Sequence, residues 1–194
     1  MAPLPCQNDR TMASTLWTIG HSTRPIGELL DLLRIHGIVL LVDVRTVPRS
    51  RFNPQFNTEA LAKSLAEADM RYQHSVQLGG LRKPMKGSLN AGWRNASFRG
   101  YADYMQTGEF LRAIEELIAH GESERTAIMC AEAVPWRCHR SLIADMLTIR
   151  GWMVRHILNR NEASVHSLTP FAVVRDGVLT YPRHPGDEPA RLPF

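Results

Sequence analysis

The sequence predicts an α/β fold: a three-layer α/β/α domain with a mainly parallel central sheet of about five strands, plus a C-terminal β-hairpin. Three observations carry this. Short apolar runs alternate with longer stretches whose apolar residues recur at helical spacing, the pattern of repeated βαβ units. The run at 38–44 is almost continuously aliphatic, as in a strand covered on both faces. Asp176-Gly177 separates two short apolar runs near the C-terminus, which is a hairpin signal.

The first strand is expected over 15–19, ending at Gly20-His21-Ser22. A helix over 25–36 follows, with Ile26, Leu29, Leu30 and Leu33 on one face. Ser22 or Thr23 can cap it, Pro25 suits its first turn and Gly37 ends it. The aliphatic strand at 38–44 closes in Asp43-Val44-Arg45 and leads into a loop with Pro48, Ser50, Arg51 and Asn53. A helix over 58–70 precedes a short strand at 71–74. Leu78-Gly79-Gly80 then opens a long loop reaching about Ser97. Loops of that length in compact domains are often functional. Helices are expected over 98–105 and 107–120, the second closed by Gly121. A strand at 126–130, a helix at 139–150 and a strand at 153–158 complete the series, and the hairpin pairs 171–175 with 178–181.

With 194 residues, 44% of them apolar, the chain suits one domain with a sizeable core. The division expected is an irregular lead-in at 1–14, an α/β domain at 15–181 and a Pro-rich tail at 182–194. No run approaches the ~20 apolar residues of a membrane span, and the N-terminus lacks the apolar centre of a signal peptide. Three cysteines without a disulfide-framework spacing fit a reducing, cytoplasmic setting, with Cys6 incidental. The net charge of +4 is unevenly spread. No acidic residue stands between Asp69 and Asp103, a segment holding Arg71, Arg82, Lys83, Lys86, Arg94 and Arg99. Between Asp43 and Glu59 the only charges are Arg45, Arg49 and Arg51. Two acid-free basic loops, 45–51 and 71–99, point to an anionic partner: a phosphate-bearing small molecule or a nucleic acid. Any one of these arginines can equally be a solvated surface group.

The chemistry concentrates at 127–140. An apolar strand ends in Cys130. A loop carrying Glu132 and Arg137 follows, and a helix begins at Cys138-His139-Arg140. A helix N-terminus and nearby cations lower a thiol pKa, so Cys130 is the candidate nucleophile and Glu132 the acid/base partner. A packed, unreactive Cys130 is the alternative. In a parallel sheet, groups that follow the strands converge on one rim. His21 and Ser22 follow the first strand, and Asp43 and Arg45 close the second. His74, Gly79 and Gly80 follow the third, Cys130 and Glu132 the fourth, and His156 ends the fifth. Each has a structural alternative: Ser22 as a cap, Asp43 as a partner of Arg45, the histidines as core groups, Gly79-Gly80 as a plain turn.

Several segments together carry a resemblance: Ile19-Gly20-His21-Ser22, Asp43-Val44-Arg45 with Pro48 and Ser50, Leu78-Gly79-Gly80, Tyr101-Ala102-Asp103-Tyr104-Met105, Met129-Cys130-Ala131-Glu132 and Cys138-His139-Arg140. From about Thr18 to about His156 the chain resembles the family called domain of unknown function 488. That name assigns no reaction, but the resemblance implies that Ser50, Tyr101, Cys138, His139 and Arg140 join the site. A weaker similarity is to rhodanese-like sulfurtransferases and cysteine phosphatases, which also pair an Asp-Val-Arg strand end with a loop cysteine. Their loop cradles an anion. The loop here has no glycine between Cys130 and Arg137 and includes Glu132, which leaves a fold-level analogy.

Three functions follow. The first is an enzyme acting on a phosphate-bearing substrate, with Arg45, Arg51 and Arg140 on the anion, Cys130 as nucleophile or Glu132 as acid/base, and His21 orienting one of them. The second is a nucleic-acid-binding module, with Trp93, Phe98 and Tyr101 stacking on bases. The third, a metal site from Cys130, Cys138 and His139 with His21 or His156, ranks lowest, because the Cys130-to-Cys138 spacing is not a standard zinc pattern and adjacent residues of an ideal helix cannot both point inward. No metal and no cofactor is expected.

Overall fold

A computed structural model describes residues 14–183. The lead-in at 1–13, with Cys6, and the tail from 184 lie outside the described residues. Eight strands and five helices follow in chain order: β1 (Thr15–Gly20), α1 (Ile26–Ile35), β2 (Leu40–Asp43), α2 (Thr58–Ala66), β3 (Arg71–His74), α3 (Ala96–Tyr104), α4 (Gly108–Ser123), β4 (Thr126–Cys130), α5 (Arg140–Ile149), β5 (Met153–Ile157), β6 (Ser164–Val165), β7 (Val173–Arg175) and β8 (Val178–Thr180). The main sheet runs β3-β2-β4-β1-β5-β6. Its first five strands are parallel, β6 is antiparallel, and β7-β8 is a separate hairpin. The expected architecture holds, with one strand more than the sequence pattern indicated. β6 has only two residues, both exposed, so it leaves no apolar run to read.

The alternation of buried residues along each strand sorts two cores onto opposite sheet faces. Leu16, Val42, Ile128 and Cys130 pack with α3, α4 and α5. Trp17, Ile19, Leu41 and Met129 pack with α1 and α2. Cys130 therefore ends its strand on the face that α5 covers.

Several boundaries differ from the sequence expectation for local reasons. Neither Ser22 nor Thr23 caps α1. Pro25 holds the N-cap position without a side-chain bond, and Ser22 stands at φ 50° in the left-handed region. Gly37, at φ 63°, follows that helix as expected. α3 starts two residues early, because the Asn95 side chain accepts from the backbone N–H groups of Ser97 and Phe98. Thr107 caps α4 rather than beginning it. That helix runs through Gly121, where an added Cβ would lie 2.8 Å from the Trp152 ring. Gly121 thus gives room to an aromatic ring and does not end the helix.

A buried polar chain fastens the last segment to α5. Asp145 accepts from His166 Nε2–H (2.9 Å), Thr169 Oγ1–H (2.7 Å) and Tyr181 Oη–H (2.8 Å). His166 Nδ1 then accepts from His156 Nε2–H (3.0 Å), and His156 Nδ1 accepts from the Thr18 hydroxyl (2.8 Å). Both ring nitrogens of His156 are spent inside the core. Burial, then the neighbouring His166, pull its pKa from 6.5 down to about 4. No helix among the described residues is long and apolar enough to cross a membrane.

Candidate functional site

The parallel ladder sets the strand ends side by side. Gly20 is in register with Cys130, and Asp43 with Met129. The ladder continues past the strands: His21 N–H donates to the Cys130 carbonyl (3.0 Å), Ser22 N–H to the Ala131 carbonyl (2.9 Å) and Val44 N–H to the Met129 carbonyl (2.9 Å). The chain from Cys130 to Glu132 thereby crosses directly over Gly20. A Cβ at Gly20 would lie 2.7 Å from the Glu132 carbonyl carbon and 2.8 Å from Arg140 Nη1.

At the centre stands His139. Its Nε2 lies 3.0 Å from the Val44 carbonyl oxygen. A carbonyl only accepts, so Nε2 carries a proton. Its Nδ1 lies 3.9 Å from Cys130 Sγ and 3.7 Å from Cys138 Sγ. Nδ1 thus either accepts from a thiol or, when protonated, donates to a thiolate. The ring is held from two sides. The Tyr101 ring packs against it at 5.0 Å between centroids, and Tyr101 Oη–H is fixed on the Leu78 carbonyl at 2.9 Å. Gly80 lies so close that an added Cβ would stand 2.7 Å from His139 Cγ.

The two thiols are unequal. Cys130 is held well below the ordinary thiol range by the hydrogen bond from Cys138, the bond and charge of His139 and the Glu132 backbone N–H, with burial opposing them. Cys138 is pushed well above that range, because its proton serves Cys130, because it is buried and because the Cys130 charge lies beside it. Thiolate character therefore belongs to Cys130. The three donor atoms of Cys130, Cys138 and His139 lie within 4.8 Å of one another. Against the sequence pattern, Cys138 and His139 are not neighbours on one ideal helix. Cys138 precedes the helix in extended backbone (φ −136°, ψ 143°) after a 3₁₀ turn at Pro135–Arg137, so it and His139 do converge. Two sulfurs and a nitrogen could hold a soft divalent ion.

This cluster lies on the wall of a cavity of about 380 Å³, also lined by Arg45, Thr46, Val47, Gly80, Leu81, Ser97, Phe98, Glu132 and Arg137. Of the residues named from sequence, Arg45, Gly80, Phe98, Cys130, Glu132, Arg137, Cys138 and His139 share it. The Glu132 carboxylate is exposed and makes no ion pair among the described residues.

The other residues stand behind the cavity or away from it. Asp43 is fully buried and accepts from Arg45 Nε (2.9 Å), from Arg45 Nη2 (2.5 Å) and from Tyr72 Oη (2.9 Å). Arg45 also donates from Nη1 to His21 Nε2 (3.2 Å) and from Nη2 to the Phe56 carbonyl (2.7 Å). His21 consequently accepts at Nε2 and donates from Nδ1 to the Ser22 carbonyl (2.8 Å). Its pKa is lowered by burial, and the Arg45 charge adds to this. His21 is thus a neutral, fully bonded ring stacked on Phe56 at 4.2 Å and does not touch a thiol. His74 Nε2–H is spent on the Arg45 carbonyl (2.7 Å). Arg140 is buried too, with Nη1 and Nη2 on the carbonyls of Glu132 (2.6 Å) and Ala133 (2.9 Å). It clamps the loop after Cys130 and keeps its buried Nε–H without a hydrogen-bond partner. Ser50 Oγ accepts from the Phe52 and Asn53 N–H groups of its own turn, and Arg51 is exposed outside the cavity wall. Gly79 makes room for Thr46, whose Oγ1 would be 2.6 Å from an added Cβ. Tyr101 and Ser22 also stand off the cavity.

Sequence reasoning missed Val47 and Leu81 in the apolar part of the wall, and the Val44 carbonyl that orients His139; it named Phe98, on α3, only as a base-stacking ring. Leu81 lies in the long loop expected to be functional, which was the one available signal.

A family model described as domain of unknown function DUF488 matches residues 25–147, from the start of α1 into α5. No curated protein and no solved structure matches the chain.

Packing against Gly80 generates one expectation. Gly80→Ala should displace the His139 ring while leaving the sheet intact. The midpoint of the pH profile for alkylation of Cys130 by iodoacetamide should rise by about one pH unit, the loss of about 1.4 kcal/mol of thiolate stabilisation, with an unchanged far-ultraviolet circular dichroism spectrum. An unmoved midpoint would show that the ring does not set the thiolate character of Cys130.

Proposed function

The chain belongs to the DUF488 family, and on that premise we propose that it is a thiol-dependent enzyme in which Cys130 attacks an electrophilic atom of a substrate held in the 380 Å³ cavity. The observation that carries this reading is the aim of His139: Nε2 on the Val44 carbonyl, Nδ1 toward both sulfurs. A packed cysteine needs no such partner. A nucleophilic one needs a fixed base within reach and a means of stabilising the thiolate. Cys138 S–H and the Glu132 backbone N–H supply the second.

In this scheme the ring holds Cys130 as thiolate, or takes its proton at Nδ1, and the sulfur lone pair bonds to the substrate. Glu132, exposed on the same wall, is placed to exchange a proton with the leaving group or with an attacking water. Val47, Leu81 and Phe98 would seat an apolar portion of the substrate, and Arg137 an anionic one. Arg45 and Arg140 act at one remove, holding the backbone that carries the site.

The pH dependence of alkylation tests this. A thiol whose pKa is depressed stays reactive as pH falls, whereas a free cysteine near ~8.5 loses about tenfold in rate per pH unit below that value. Cys130 should change in rate by less than about threefold between about pH 6 and about pH 8. A full tenfold loss per unit would make Cys130 a core thiol.

The basic loops favour a second reading, that the partner carries phosphate as a nucleotide or a nucleic acid. Arg49, Arg51, Lys83, Lys86 and Arg94 are exposed and make no ion pair among the described residues, and Phe52, next to Arg51, is 94% exposed. Cations beside an open aromatic ring suit phosphate contact and base stacking. Single-stranded RNA should then bind at low salt, and replacing Arg51, Lys83 and Lys86 with alanine should flatten the salt dependence, by a slope of ~0.7 per lost phosphate contact. No binding by the wild-type protein at low salt would exclude the nucleic-acid form of this reading and leave the thiol chemistry untouched.

A further inference from the structure

A single nucleophile explains Cys130 and His139 and leaves Cys138 with too little to do. Its sulfur lies 3.7 Å from the same Nδ1 and within 4.8 Å of the Cys130 sulfur, and both thiols are free. Cys138 is 3% exposed and Cys130 is 7% exposed. The loop between them is anchored at Glu132 and Ala133 by Arg140, so the two sulfurs are kept as neighbours. A disulfide needs a sulfur separation of about 2.0 Å; the two sulfurs start within 4.8 Å of one another, and Cys138 lies in extended backbone outside the helix.

We propose that Cys130 and Cys138 form a dithiol–disulfide couple that reduces disulfide substrates, with Cys130 as the attacking sulfur and Cys138 as the resolving sulfur. This rests on the reading of Cys130 as nucleophile and names the substrate class for it. In the first step the Cys130 thiolate bonds to one sulfur of a substrate R–S–S–R′. The substrate S–S bond breaks, and R′–S⁻ leaves with the proton from His139 Nδ1, which frees that nitrogen for the second step. In the second step Cys138 gives its proton to His139 Nδ1, and its sulfur bonds to Cys130 Sγ. The mixed disulfide breaks, and R–S⁻ leaves with the proton from His139. Two electrons pass from the protein dithiol to the substrate, which becomes two thiols. An external thiol reductant returns the protein disulfide to the dithiol by the same exchange in reverse. His139 serves both sulfurs in turn, which its aim at both allows. The apolar residues beside the cluster, Val47, Leu81 and Phe98, suit the organic groups of a disulfide better than a small inorganic oxidant.

Oxidised glutathione is the probe. Wild-type protein, Cys130→Ser and Cys138→Ser are incubated with it at neutral pH, quenched in acid and measured by intact mass and peptide mapping without reductant. The wild-type protein should lose two hydrogens and yield a peptide pair joined through Cys130 and Cys138. Cys138→Ser should accumulate a glutathione adduct on Cys130, and Cys130→Ser should form none at Cys138 on the same timescale. A stable adduct on wild-type Cys130 with no internal disulfide would overturn the couple while leaving the nucleophile reading in place, provided alkylation of Cys130 keeps its shallow pH profile. An adduct on Cys138 in Cys130→Ser would overturn the assignment of roles. Protein whose two thiols titrate only after a tightly bound metal ion is chelated would overturn both readings.

Discussion

The Val44 carbonyl commits one nitrogen of His139, and the rest of the site follows from that commitment. With Nε2 fixed, Nδ1 has one direction to face, and both cysteine sulfurs lie there. Five separate stretches of chain meet at this ring. β2 supplies the carbonyl, the loop after β3 supplies Gly80, and α3 supplies Tyr101. β4 ends in Cys130, and the turn before α5 supplies Cys138. A parallel sheet is what brings them together, because every strand delivers its C-terminal end to the same rim. The order β3-β2-β4-β1-β5 places β4, with Cys130, between β2 and β1, so the nucleophile has a structured strand end on either side.

The arginines show how misleading charge is without coordinates. Arg45 and Arg140 are the buried arginines of the site, and both spend most of their donors on internal partners. Arg45 forms a buried ion pair with Asp43 and also ties down His21 and the Phe56 carbonyl. Breaking such a pair by removing one partner costs about 3–5 kcal/mol, because a buried charge is left alone. The pair is scaffolding under the strand end that bears Val44. Arg140 does comparable work for the loop after Cys130, satisfying two carbonyls that would otherwise be left without donors where the chain crosses Gly20.

The layers, the parallel strands and the hairpin were legible because hydrophobic periodicity reports them directly. Helix boundaries were less so. Asn95 and Thr107 act as caps through side-chain bonds that residue type alone allows at several positions, and Gly121 sits inside a helix for the sake of the Trp152 ring. The strand order required pairing information that no single strand contains. Within the site, Cys130 and Glu132 were readable from their place after an apolar strand. Cys138 and His139 were read as unable to converge for one physical reason: adjacent helical residues diverge by about 100°, but Cys138 is not helical. A backbone carbonyl such as that of Val44 has no residue signature at all, so its role had to come from geometry.

The most direct measurement is the tautomer of His139, read from long-range proton–nitrogen correlation spectra of selectively labelled protein. Nε2 should carry a proton at every pH at which the protein stays folded. Nδ1 should change its signal when Cys130 is replaced by serine, with Nε2 nearly unmoved. A neutral His139 ring with its proton on Nδ1 and a bare Nε2 would contradict the bond to Val44, and with it the arrangement that turns Nδ1 toward the two sulfurs.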